Sequence, residues 1–184
     1  VSGPLAARGR AQRPRGTQGR GQGKAHATWP CWQRTRCLHG NAVAEIEKGD
    51  PITSPQFTKG GALRPFDFAV ANPPFSVKSW SNGLEQDYGR FEFGRPPEKN
   101  GDYAFLLHIL KSLKSAGKGA VILPHGVLFR GNAEAAIRRQ LLKRGYIKGI
   151  IGLPANLFYG TGIPACIVLL DKANAQARTG VFMI

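Results

Sequence analysis

Acidic residues are scarce in this chain: 11 Asp and Glu stand against 26 Lys and Arg in 184 residues, for a net charge of +15. That balance favours contact with a polyanion such as nucleic acid. Its distribution narrows the point, because residues 1–37 hold eight of the bases and no acid, leaving residues 38–184 with 18 against 11 and a moderate +7. Cysteine is sparse as well. Cys31, Cys37 and Cys166 are odd in number and show no CxxC spacing, so neither a disulfide framework nor a zinc site is supported, and a reducing cytoplasm is the expected location. No apolar run approaches the roughly 20 residues of a membrane span. The opening Val1-Ser2-Gly3-Pro4 leads into Arg, Gly and Gln instead of a signal-peptide core. His39, His108 and His125 stand alone, so neither a metal site nor histidine-based nucleophilic catalysis is expected.

Composition divides the chain in two. Residues 1–37 are rich in Gly, Arg, Gln and Pro and show no helix or strand period, so they are expected to be a disordered basic arm or an out-of-frame segment. From Leu38 the pattern is regular. Residues 42–49 read as a short strand ending at Gly49-Asp50, residues 51–65 as a polar loop, and Phe66 to Ala71 as a buried strand. A long loop over residues 76–100 follows, of a length that is functional or mobile in a compact domain. Residues 102–116 carry Tyr103, Leu106, Leu107, Leu110 and Leu113 at helical spacing, stopped by Gly117. Residues 119–124 form the next buried strand, and residues 133–144 a helix capped by Asn132 and stopped by Gly145. Residues 146–153 and 165–170 are strands joined by a Pro/Asn/Gly linker too short for a crossover helix, which predicts an antiparallel hairpin. Gly160-Thr161-Gly162 is read as its turn. The fold class is α/β: a Rossmann-like, doubly wound and mostly parallel sheet ending in that hairpin. Ligands of such sheets bind beyond the carboxyl ends of strands, where Asp50 and Asn72 both fall.

The chemistry concentrates at Asn72-Pro73-Pro74-Phe75. Two successive prolines cannot continue a strand ladder, so the chain must leave the sheet and turn its carbonyls outward. An exocyclic base amine is a poor nucleophile because its lone pair is delocalised into the ring. The Asn72 side-chain oxygen and the Pro73 carbonyl can accept its two N–H groups and draw the nitrogen toward tetrahedral geometry, exposing the lone pair to a methyl sulfonium. Phe75 can stack on a base flipped from the duplex. Asp50 has two readings, an acceptor for the adenine amine of a nucleoside cofactor or a turn residue before Pro51.

Leu38-His39-Gly40-Asn41, Gly49-Asp50, Phe66 to Phe75, Gly101-Asp102-Tyr103-Ala104-Phe105, Gly119 to Phe129, Ile151 to Phe158 and Gly160 to Asp171 closely resemble, in unbroken order, the modification subunit of type I restriction-modification systems. These are adenine-specific DNA N6-methyltransferases. The resemblance implies S-adenosylmethionine as donor, a flipped adenine held by Asn72, Pro73, Pro74 and Phe75, and Asp50 at the cofactor adenine. It also implies double-stranded DNA, a specificity subunit and a restriction subunit as partners, with residues 38–184 as the C-terminal part of the catalytic domain.

The departures matter too. The family carries an acidic Gly-rich loop upstream and an acidic residue after the next strand for the cofactor ribose, and this chain has neither. The loss of resemblance before Leu38 looks like a frameshifted gene or a misassigned start. The lost strands would take most of the cofactor cradle and open a sheet edge, so the chain by itself is expected to be inactive. Two other functions remain open: a protein-glutamine N-methyltransferase, whose chemistry also uses an Asn-Pro-Pro-aromatic turn, and a non-catalytic basic nucleic-acid-binding module.

Overall fold

The computed structural model describes residues 19–24, 45–158 and 162–184. Two short parallel strands come first, β1 (Arg20–Gly23) and β2 (Glu45–Lys48). A small hairpin follows, β3 (Thr58–Lys59) with β4 (Ala62–Leu63). The main sheet has the order β5-β6-β8-β7-β9. In it β5 (Phe66–Ala71) runs parallel to β6 (Leu113–Pro124), the chain returning between them through helix α1 (Asp102–Lys111). A short helix α2 (Gly126–Phe129) and α3 (Asn132–Lys143) lead to β7 (Ile147–Gly152). The expected hairpin is present: β8 (Ala165–Asp171) pairs antiparallel with β7 and also with β6, so it lies between them. β9 (Phe182–Met183) adds a parallel edge. The result is the expected α/β architecture with a mixed sheet and few helices.

Every residue of α1 from Asp102 to Leu110 is buried, because the helix packs on the sheet with one side and under the long loop with the other. Leu106, Leu107, Leu110, Val121, Leu123, Ile137, Leu141, Val168 and Leu170 join in one core. Within β6 the alternation of buried Gly119, Val121 and Leu123 with partly exposed neighbours follows the strand period.

Four features differ from the sequence reading. The segment 1–37, expected to lack structure, contributes β1: Gln22 is buried, and its side chain donates to the Ser54 carbonyl at 2.8 Å and accepts from the Gln56 amide at 3.0 Å. A four-residue strand paired with β2 and carrying two glycines and no apolar side chain leaves no hydrophobic period to read. Helix α1 ends at Lys111 instead of residue 116, because the Ser112 hydroxyl donates back to the His108 carbonyl while the Ser112 carbonyl accepts the Phe66 amide of β5. Asn132 does not cap α3: Gly131 holds that position without a side-chain bond. Finally, β5 is not a fully buried strand. It is a sheet edge whose Phe68 is 67% exposed, and a cavity of about 100 Å³ separates it from β1.

The loop 76–100 has no helix or strand but is densely anchored. Trp80 and Arg90 are buried, the Trp80 indole donates to the Pro97 carbonyl at 2.9 Å, and the Gly101 amide closes the loop on the Val77 carbonyl at 2.9 Å.

Candidate active site

Strand β5 leaves the sheet at the predicted point. Its last ladder partner is Ala71 against Val121, after which Asn72 is half-buried, Pro73 buried, Pro74 exposed and Phe75 half-buried. The Phe75 ring meets Phe158 edge to face, centroids 5.6 Å apart at 80°. Phe158 comes from the segment after β7, so the carboxyl ends of two parallel strands each supply one ring. A contact between chain positions 83 residues apart leaves no local signal in the sequence, so no role for Phe158 follows from its motif.

Directly after Phe75 the backbone turns left-handed at Ser76, φ 52°, and its amide donates to Asp102 Oδ1 at 2.7 Å. Asp102 opens α1 fully buried, and its other oxygen receives the Arg130 guanidinium. Arg130 Nε also approaches the buried Glu134 carboxylate to 2.8 Å without hydrogen-bond alignment, a Coulombic contact. Burial pushes the Glu134 carboxyl above its usual range, against the pull of Arg130. The Tyr103 hydroxyl and Arg138 both donate to the Val127 carbonyl, at 2.8 and 3.0 Å. Burial raises the Tyr103 phenol. Half-buried Arg138 of α3 thus ties that helix to the Val127 carbonyl of α2.

Asp50 follows β2. Its Oδ1 accepts the Ile52 amide at 2.9 Å, closing a turn, and its Oδ2 accepts the Lys24 ammonium at 3.2 Å, so a cation stands beside it. The next residue, Pro51, gives its carbonyl to Arg90 at 3.4 Å. Arg90 also donates to the Asp87 and Gln86 carbonyls and lies 3.3 Å from His108 Nδ1. A guanidinium has only donors, so Nδ1 must accept and His108 is neutral. Burial, with Arg90 adding to it, lowers the His108 pKa to about 3. Ile52 packs with Trp80, Ala104 and Phe105, which joins the Asp50 turn to the loop that follows Phe75.

A nucleoside methyl donor asks for an acceptor at its adenine amine and hydroxyl-binding carboxylate at its ribose. Asp50 is an acceptor of the first kind. At the end of β1, however, stand Gly23 and Lys24, a residue without a side chain and an exposed cation that pairs with Asp50. Asp50 can serve the base end of such a group, and no carboxylate stands at the end of β1. Among the described residues no group of three His, Cys, Asp or Glu could hold a metal. Buried Cys166 has its thiol pushed up by burial to about 11, unsuited to nucleophilic work. Also among the described residues, no helix is long and apolar enough to cross a membrane. His39-Gly40-Asn41 and the Gly160-Thr161 turn lie outside the described residues.

Comparison with known proteins places the sequence and fold among others. The model of the N-6 DNA Methylase family matches residues 9–184, beginning well inside the Gly/Arg/Pro-rich lead-in. The HindI type I restriction enzyme methylase subunit of Haemophilus influenzae is 35% identical over 136 residues, covering 73% of this chain and 30% of that protein. The MpnII methylase subunit of Mycoplasma pneumoniae is 30% identical over 175 residues, covering 89% and 32%. The solved type I restriction-modification methyltransferase subunit from Streptococcus thermophilus superposes with a TM-score of 0.76 at 38% identity, covering 89% of this chain and 35% of that one. A class I S-adenosylmethionine-dependent methyltransferase of Listeria monocytogenes shares the fold, with a TM-score of 0.51 at 20% identity. The chain spans about a third of the length of these methylase subunits.

Proposed function

Because the chain belongs to the N-6 DNA methylase family, we propose that the protein containing it methylates N6 of adenine in double-stranded DNA, as the modification subunit of a type I restriction-modification system. Its partners are then a specificity subunit that reads the DNA sequence and a restriction subunit, and its place is the cytoplasm. The observation that carries this reading is the pairing of Phe75 with Phe158 beside the Asn72-Pro73 exit from β5. Acceptors for an amine and apolar rings for a base then lie beyond the carboxyl ends of β5 and β7, two parallel strands of the mixed sheet.

S-adenosylmethionine, when bound, supplies an electrophilic methyl group. The chain's own work is to prepare the amine. The Asn72 side-chain oxygen and the Pro73 carbonyl accept its two N–H groups, which localises the lone pair on nitrogen. Phe75 and Phe158 hold the base plane after extrusion, at about 1–3 kcal/mol per stacked base. The amine loses its proton after the methyl group has arrived, so no strong base is required. Pro74, the second proline, keeps the turn out of the ladder. Asp50 is assigned to the adenine end of the methyl donor, where Lys24 competes for one of its oxygens.

Transfer of labelled methyl groups, with duplex DNA and a glutamine-bearing protein offered together to the full-length protein and its specificity partner, tests this. Label in DNA adenine is the expected result. Label in the protein acceptor alone would reverse the substrate assignment.

A further inference from the structure

The Asn-Pro-Pro-Phe turn is followed at once by a residue in an unfavourable conformation. Ser76 has φ 52°, a region that costs a non-glycine residue on the order of 1 kcal/mol or more. Such a residue keeps its place only if its surroundings hold it. Asp102 does so: its Oδ1 takes the Ser76 amide at 2.7 Å, and its side chain is wholly buried. Asp102 is itself fixed by two further contacts. Its amide donates to the Asn100 side-chain oxygen at 3.1 Å, and its Oδ2 receives Arg130, which in turn faces Glu134. Arg130 sits at the end of α2, where Arg138 donates to its carbonyl at 3.1 Å. Two buried acids and the part-exposed Arg130 between them thus tie the residue after Phe75 to the segment that leaves β6.

The geometry points to Asp102 as a positioning residue for catalysis, whose carboxylate, held by Arg130, locks Ser76 left-handed and so sets the direction of the Asn72–Phe75 turn. This rests on the reading of that turn as the amine-holding site. Asp102 lies at the start of α1 and acts through Ser76, without touching the reacting atoms. Because placement errors of about 1 Å can cost on the order of 100-fold in rate, a lost clamp should appear in kcat before it appears in binding.

The test uses the full-length protein with its specificity partner. An amide at position 102 can satisfy either the Ser76 N–H or Arg130 but not both, so Asp102→Asn is expected to lower kcat by about 10-fold or more, with the KM for DNA changed by less than about threefold. Ser76→Gly adopts φ 52° without strain, so adding it to Asp102→Asn should return a substantial part of kcat. Emission from 2-aminopurine at the target adenine position should differ between Asp102→Asn and the unaltered protein, and move back in the double variant. Unchanged kcat in a folded Asp102→Asn protein would overturn the proposal, as would a double variant no better than the single. If Asp102→Asn does not fold, Arg130→Lys is measured instead, with the same kcat loss and the same Ser76→Gly recovery expected and the same outcomes against it. Absence of methyl transfer in the unaltered complex is a different failure and would count against the methyltransferase reading itself.

Discussion

The rings of Phe75 and Phe158 meet edge to face with centroids 5.6 Å apart, although one follows β5 and the other follows β7. Both are half-buried. Neither ring is therefore sealed in the core.

Replacing either ring by alanine should weaken methyl transfer far more than folding. A stacked base contributes about 1–3 kcal/mol, so Phe158→Ala is expected to reduce kcat/KM by roughly 5- to 150-fold. The double variant with Phe75→Ala should be less than additive by about 0.5–1.5 kcal/mol, the coupling of an aromatic pair. Steady-state kinetics on a DNA substrate checks this. A fully additive pair would mean that the rings do not act together.

His108 makes stability depend on pH. Its folded pKa is near 3 against an ordinary value of 6.5, because it is buried beside Arg90. Above pH 6.5 the ring is neutral in both states and its contribution is fully present. As pH falls from 6.5 toward 3 the unfolded chain binds a proton that the folded chain refuses, and up to about 1.4 kcal/mol is lost per pH unit. His108→Gln should flatten the pH dependence in that window. Urea denaturation at pH 7, 6 and 5 measures it, and equal slopes for both proteins would remove His108 as the cause.

Gly145 should tolerate no side chain. It ends α3 with φ +68°, and a Cβ there would lie 1.9 Å from the Ala175 carbonyl oxygen. Both the left-handed backbone and the backbone clash oppose Gly145→Ala, which is expected to cost at least about 2 kcal/mol. Chemical denaturation gives the value. A loss below about 0.5 kcal/mol would show that the Ala175 turn moves aside at little cost.

Much of this was legible in the sequence because it is written locally. The alternation in residues 119–124, the apolar spacing of α1 and the short linker before β8 each report their own element. The double proline likewise announces where β5 must stop. What escaped was held by distant partners. β1 is a strand because it pairs with β2, 25 residues on in the chain, and its Gln22 bonds Ser54 and Gln56, more than 30 residues away. The end of α1 is set by β5 taking the Ser112 carbonyl, which helix spacing through Leu113 cannot reveal. Asp102 reads as an ordinary acidic residue in a first helical turn, yet its carboxylate serves Ser76 and Arg130. Lys24 beside Asp50 is invisible until β1 and β2 are paired.

The central claim is that Asn72 and Pro73 hold an adenine amine for methylation. It is tested most directly by mass-spectrometric measurement of N6-methyladenine in duplex DNA after incubation with S-adenosylmethionine, the full-length protein and its specificity partner. N6-methyladenine should form with the unaltered protein and fall by on the order of 100-fold or more with Asn72→Ala, while the melting temperature and S-adenosylmethionine binding stay close to those of the unaltered protein. Equal N6-methyladenine from the Asn72→Ala protein would contradict the account.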